Sequence, residues 1–215
     1  KFDYVQFYRD GKMKNGRYPE NSYGKGRTHS FVDMALKAGL TYKFNGLPFL
    51  TANVSYGTEA PLPNNAYLSP RISDMTPEDV ENGQKLESGR VFSADVNYIF
   101  SLPSFTGRVS LYQTNFYDQM ERSSYFNGTN FFNHVLYGVN RIHRGIELGT
   151  TYKLDNHWSF DLAGTISEYY YSNNPMAVEN YEATHGDKTS KVYMKNLYVS
   201  GTPQFEGSFG VGYFF

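Results

Sequence analysis

Apolar and polar residues alternate one by one along much of this chain. Over residues 92–100, Phe92, Ala94, Val96, Tyr98 and Phe100 stand against Ser93, Asp95, Asn97 and Ile99. Over 36–44, Leu36, Ala38, Leu40, Tyr42 and Phe44 oppose Lys37, Gly39, Thr41 and Lys43. Over 146–154, Ile146, Leu148, Thr150, Tyr152 and Leu154 oppose Glu147, Gly149, Thr151 and Lys153. A period of two puts successive side chains on opposite faces, so each run predicts a strand with one apolar and one polar face. Runs at 50–56, 105–112, 158–166 and 205–215 extend the pattern, with a weaker one at 2–8, for about eight strands in all. No long amphipathic helix is predicted.

The connections alternate in length. Asn45-Gly46, Leu102-Pro103-Ser104 and Asp155-Asn156-His157 are tight turns, and Asn-Gly is the strongest short-range hairpin signal. Between them lie long polar stretches, roughly residues 10–30, 58–88, 119–135 and 172–199. Outer-membrane barrels follow this rule, with short periplasmic turns and long extracellular loops. The strands read as roughly 9–14 residues long, and about 9–11 suffice for a tilted strand to cross the hydrocarbon core. One face holds Ser93, Asp95 and Asn97, another Arg108 and Ser110, another Glu147, Thr151 and Lys153, as a hydrated lumen requires. Phe44, Tyr56, Phe100, Phe105, Tyr152, Trp158, Phe160 and Tyr213 gather near strand ends, where aromatic girdles sit at headgroup level. The fold class expected is all-β: antiparallel transmembrane barrel strands.

Composition narrows the functions. The 215 residues carry 20 Lys+Arg against 21 Asp+Glu, a balance that argues against nucleic-acid binding. Aromatics at 18% argue against disorder. With no cysteine, disulfides and thiolate metal sites are excluded. No run of about 18 apolar residues predicts a membrane helix. Neither an initiator Met nor a signal-peptide pattern precedes Lys1, so the chain reads as a mature product or a piece of something longer.

Candidate chemistry is sparse. His29, His134, His143, His157 and His185 lack metal-ligand spacing and read as solvated turn and loop residues, with His143 beside Arg141 and Arg144 a minor lumen candidate. No nucleophile elbow, Walker loop or dinucleotide fingerprint occurs. Asp118, His134, His185 and Asp187 leave a hydrolase as a minor option, so no catalytic residue, metal site or cofactor is assigned. Asn127-Gly128-Thr129 fits a glycosylation sequon but reads as a loop turn. Thr76-Pro77-Glu78-Asp79 reads as the start of a short helix over 77–85. The basic stretch of Arg9, Lys12, Lys14, Arg17, Lys25 and Arg27 could steer anions or meet lipopolysaccharide phosphates, or be a solvated loop. The ligand-binding candidates are loop aromatics, Tyr125, Phe126, Phe131, Phe132, Tyr169, Tyr170 and Tyr171, whose rings offer an apolar face for a sugar or a chelate. A girdle or loop-packing role is the plainer alternative for each.

Several segments resemble one family. The run from Gly138 through Asn140, Gly145, Ile146 and Glu147 to Leu148 is similar to the Asn-x-x-x-x-Gly-hydrophobic-Glu-hydrophobic lead into a barrel strand of TonB-dependent outer-membrane receptors. Gly201-Thr202-Pro203-Gln204, followed by Ser208-Phe209-Gly210-Val211-Gly212-Tyr213, resembles a later strand of those barrels. Lys37-Ala38-Gly39-Leu40-Thr41-Tyr42 with Val54-Ser55-Tyr56-Gly57-Thr58-Glu59-Ala60-Pro61 resembles a strand pair ending in an aromatic-Gly loop. The wealth of Tyr, Asn and Phe resembles the Bacteroidetes branch. The resemblance runs from about residue 31 to the end. It implies an outer-membrane transporter of an iron chelate, vitamin or glycan, driven by the TonB complex through parts outside this chain, with membrane lipid, lipopolysaccharide and a surface lipoprotein as partners. It makes residues 1–215 a barrel segment without plug domain or TonB box, from the second half of a barrel of about 22 strands. Two rival readings stay open: a complete small eight-stranded barrel with a structural or adhesive role, and a soluble β-rich carbohydrate-binding module.

Overall fold

A computed structural model describes residues 1–46, 48–126, 128–181 and 186–215. In chain order the strands are β1 (Phe2–Phe7), β2 (Asp10–Lys12), β3 (Tyr23–Lys25), β4 (His29–Lys43), β5 (Phe49–Glu59), β6 (Gly89–Ser101), β7 (Phe105–Phe126), β8 (Phe131–Lys153), β9 (Trp158–Tyr171), β10 (Met176–Tyr181), β11 (Gly186–Lys191) and β12 (Phe205–Tyr213). One helical turn, α1, spans Pro63–Ala66. Eight of the strands form an antiparallel wall in the order β1-β4-β5-β6-β7-β8-β9-β12, and these are the eight that the alternation predicts. Among the described residues no ladder joins β1 to β12, so the wall is an open arc rather than a closed small barrel. No helix is long and apolar enough to cross a membrane, which says nothing of crossing by strands.

The register lines up the apolar positions of every strand on one face. Leu40, Ala52, Val96, Leu111, Ile146, Ile166 and Phe205 form one such row, each paired with the next. On β9 the outward residues Trp158, Phe160, Leu162, Gly164 and Ile166 give an unbroken apolar band, and Arg144 with Glu168 marks its upper edge. Nine residues of tilted strand match an apolar band about 25 Å tall. At its lower edge the rings of Tyr42, Phe44, Tyr98, Phe100, Phe105 and Tyr152 follow one another at centroid distances of 4.9–6.5 Å, the expected girdle. The opposite face carries a hydrogen-bonded polar web. There the Ser110 hydroxyl donates to Asn97 Oδ1 at 2.6 Å and Asn53 donates to Asp95 at 2.8 Å.

Three expectations need correction. Residues 119–135 are not a loop, because β7 and β8 run on as paired strands to Phe126 and Phe131. Above the lipid the outer face no longer needs apolar residues, so on β7 the apolar alternation stops while the ladder continues. The helix expected over 77–85 is a single 3₁₀ turn, Pro77–Asp79, held by the Asp79 carboxylate accepting from the Thr76 N–H and hydroxyl. Three histidines are not loop residues: His29 is buried on β4, and His134 and His143 lie within β8. His157 is exposed in its turn, and His185 and Asn127 lie outside the described residues.

The buried core sits above the membrane band. Tyr67, Leu68 and Ile72 of the 60–88 segment pack with Tyr18, Val135, Tyr137 and Val178. The wall itself buries little within this chain, because its apolar side chains face outward. That arrangement reconciles many aromatics with a mean hydropathy of −0.56.

Candidate functional site at the extracellular mouth

The long hairpin β7–β8 frames the site. Partway up, Asp118 has φ 56° and Gly138 has φ 65°, both in the left-handed region that few residues other than Gly, Asn and Asp adopt. The ladder breaks there, then resumes with Glu121 opposite Leu136. Such an irregularity re-aims side chains. Here it delivers Glu121 into a cavity of about 480 Å³ on the polar face, which Glu59, Glu87, Asp118, Arg141 and Tyr171 also line. Arg141 reaches Glu121 at 3.0 Å, and the Tyr171 hydroxyl donates to the same carboxylate at 3.4 Å. Burial and the Glu121 charge both push the Tyr171 hydroxyl above the ordinary tyrosine range, so it remains a donor. Asp118 is paired with Arg90, and its N–H donates to Asn140 Oδ1 at 2.9 Å.

The cap above this cavity is the 60–88 segment. Asn65 donates to the Met120 carbonyl at 3.0 Å, tying α1 to β7. Arg27 clamps Asp74, Glu78 and Asp79 at 2.6–3.4 Å. Tyr18 donates to Asn180 at 2.6 Å, and Asn180 donates to Asp187 at 2.7 Å, which links the β1–β4 connection to the β10–β11 hairpin. A second groove, of about 540 Å³, runs between the rows Gln113–Arg144–Glu168 and Leu111–Ile146–Ile166. Those rows face outward, so this groove belongs to the membrane side.

The loop aromatics expected to bind ligand do not form one cluster. Tyr125 stacks on Phe132 at 4.9 Å, and Phe132 meets the Tyr181 ring at 4.7 Å, near the hairpin tip. Phe126 packs on Phe131 at 5.0 Å, with the Arg71 guanidinium over Phe131 at 5.3 Å. Tyr169 faces inward, its hydroxyl 2.6 Å from that of Tyr112 and its ring 4.6 Å from His143. Gly145 makes room for this contact, since a Cβ there would lie 2.8 Å from the Tyr112 hydroxyl. Tyr170 faces outward beneath Arg144, and Tyr171 alone of the seven lines the cavity. The hydrolase candidates are not assembled either: Asp118 pairs with Arg90, Asp187 with Asn180, and His134 lies 3.8 Å from Glu179. Among the described residues no cluster of His, Asp and Glu could hold a metal ion. Glu59, Glu87 and Glu121 were not foreseen, because a lone acid in a polar stretch carries no signal of the cavity it will face.

A two-faced antiparallel wall with a lipid-width apolar band, an aromatic girdle and a capped polar mouth defines an outer-membrane β-barrel. The family model for the β-barrel of TonB-dependent receptor-like proteins matches residues 1–215, and the chain belongs to that family. Such barrels are characteristic of bacterial outer membranes, and the family's members are transporters rather than enzymes. Searches among curated proteins and among solved structures return no match.

Proposed function

We propose that this chain builds part of the wall and extracellular mouth of an importer that takes up a small nutrient, an iron chelate, a vitamin or a glycan. The polar-face cavity at Glu121, Arg141 and Tyr171 is the observation that carries this reading. It lies where the lumen opens outward and offers both hydrogen-bond acceptors and an aromatic ring to an entering molecule. The exposed rings of Tyr125, Phe126 and Phe131 at the hairpin tip extend that surface, either for first capture of the ligand or for contact with a surface lipoprotein. On this reading Tyr170 and the Arg144–Glu168 pair, next to the apolar band, are the residues that would meet lipopolysaccharide headgroups. Energy reaches the site from the TonB complex through parts of the receptor outside this chain.

The test is growth of receptor-deleted and complemented cells on ferric chelates, cobalamin and oligosaccharides, with and without intact TonB. The reading expects one class to require both receptor and TonB, and uptake of it to fall at least tenfold with Tyr171→Ala combined with Glu121→Gln. Complementation by TonB-independent diffusion, or uptake indifferent to the double variant, contradicts it.

A further inference from the structure

Near the mouth Arg27 meets Asp79, Arg90 meets Asp118 and Arg141 meets Glu121. Arg9 and Arg122 meet no carboxylate among the described residues. Arg9 lies with its guanidinium 4.1 Å from the centre of the Tyr67 ring, and its Nη1 donates to the carbonyl oxygens of Ser69 at 2.8 Å and Ile72 at 3.2 Å. Arg122 stands on β7 opposite Val135. Directly paired residues project to the same face, and Val135 is fully buried in the cluster that holds Tyr67 and Leu68. Among the described residues no carboxylate acts on either guanidinium. Burial holds both below the ordinary arginine value, and the nearby charge of Arg122 lowers Arg9 further.

Two buried side-chain atoms here have no side-chain hydrogen-bond partner: Nη1 of Arg122, and the hydroxyl of Tyr67, a side chain with 0% exposure. The Tyr67 oxygen meets the Arg9 backbone N–H, which leaves the hydroxyl's own proton without an acceptor. Arginine cannot shed its proton in a protein. A half-buried guanidinium stacked on Tyr67, with the like charge of Arg122 close enough to act on it, is costly unless something anionic joins them, because like charges out of water and unsatisfied buried donors both destabilise. The donors also suit one kind of guest. A guanidinium presents a planar fork that matches two oxygens of a carboxylate or phosphate, and a phenol supplies a further donor.

We infer that Arg9, Arg122 and the Tyr67 hydroxyl form an oxyanion site inside the extracellular cap, taking a carboxylate or phosphate group. As the role of this site, we assign recognition of an acidic group on the imported molecule. That role rests on the transport reading, whereas binding itself does not.

The test titrates the full-length receptor in detergent micelles with inorganic phosphate and with acetate, against chloride at equal ionic strength, by calorimetry and thermal unfolding. Saturable binding of phosphate or acetate, with a rise in Tm that chloride does not produce, is expected. Arg122→Gln should weaken that binding at least tenfold. Tyr67→Phe keeps the ring beneath Arg9 and removes only the hydroxyl. It should weaken binding severalfold while leaving the anion-free Tm unchanged or higher, and so it serves as the variant safe from misfolding. Phosphate and acetate acting no differently from chloride, or both variants leaving the isotherm unchanged, overturns the site. If binding is intact but no TonB-dependent uptake appears on the nutrient panel, the transport reading fails and the site stands. TonB-dependent uptake without oxyanion binding is the reverse case.

Discussion

At the scale of single residues, meaning depends on which face a side chain occupies. Leu162 is 49% exposed, a position where a water-soluble protein would tolerate a charge. Here it lies mid-band on the lipid face. Leu162→Arg should cost about 2–4 kcal/mol, the range for a cation at the bilayer midplane, while Thr165→Arg on the polar face should cost far less. The urea midpoint of the folded receptor in lipid vesicles reads the difference. Above the band ordinary aqueous electrostatics return. Burial raises the Asp79 carboxyl, but hydrogen bonds from Arg27 and Thr76 outweigh it and hold the group below its usual value. A depressed folded pKa stabilises above the unfolded value and loses that contribution as pH falls through the folded one. Protection from hydrogen exchange over residues 74–79, taken relative to the intrinsic rate at each pH, should therefore be high at neutral pH and fall as pH drops below about 4. Arg27→Ala should weaken the dependence, leaving the part that the Thr76 hydrogen bonds supply.

At the scale of elements, strands were legible in the sequence only where lipid enforced alternation. All eight wall strands appear in the period-two runs, because a slip by one residue would turn an apolar row into the lumen. The upper half of β7 was not legible, since Gln119, Glu121, Arg122, Ser123 and Ser124 carry no apolar period. Nor was the junction where β8 changes partner from β9 to β10. There the chain between β9 and β10 bridges the gap with a side chain: Asn173 accepts from the Asn140 N–H at 3.0 Å and donates to the Gly138 carbonyl at 2.8 Å. Asn173→Ala leaves both backbone groups unpaired and should cost about 1–3 kcal/mol locally. Faster amide exchange at Asn140, without change in residues 146–153, is the expected signature.

At the scale of the whole molecule, the composition is that of a surface turned outward: apolar groups toward lipid, polar groups toward the lumen, and a conventional core only in the extracellular cap. The cap was the least legible part, because it joins Tyr18, Tyr67, Val135 and Val178 from four separate stretches with no shared period. The arc leaves β1 and β12 each with an unpaired edge among the described residues. Open edges of long strands recruit further strands. Residues 1–215 alone should therefore aggregate in detergent, while the full-length receptor migrates as a heat-modifiable monomer.

The two-faced wall can be probed directly, because this chain contains no cysteine. Single cysteines placed from Ser159 to Ile166 in the receptor, spin-labelled in lipid vesicles, report accessibility to oxygen and to a water-soluble nickel chelate. A wall with one lipid face and one water face gives a period of two: Phe160, Leu162, Gly164 and Ile166 favour oxygen, and Asp161, Ala163 and Thr165 favour the chelate. A flat profile, or the opposite phase, would contradict it.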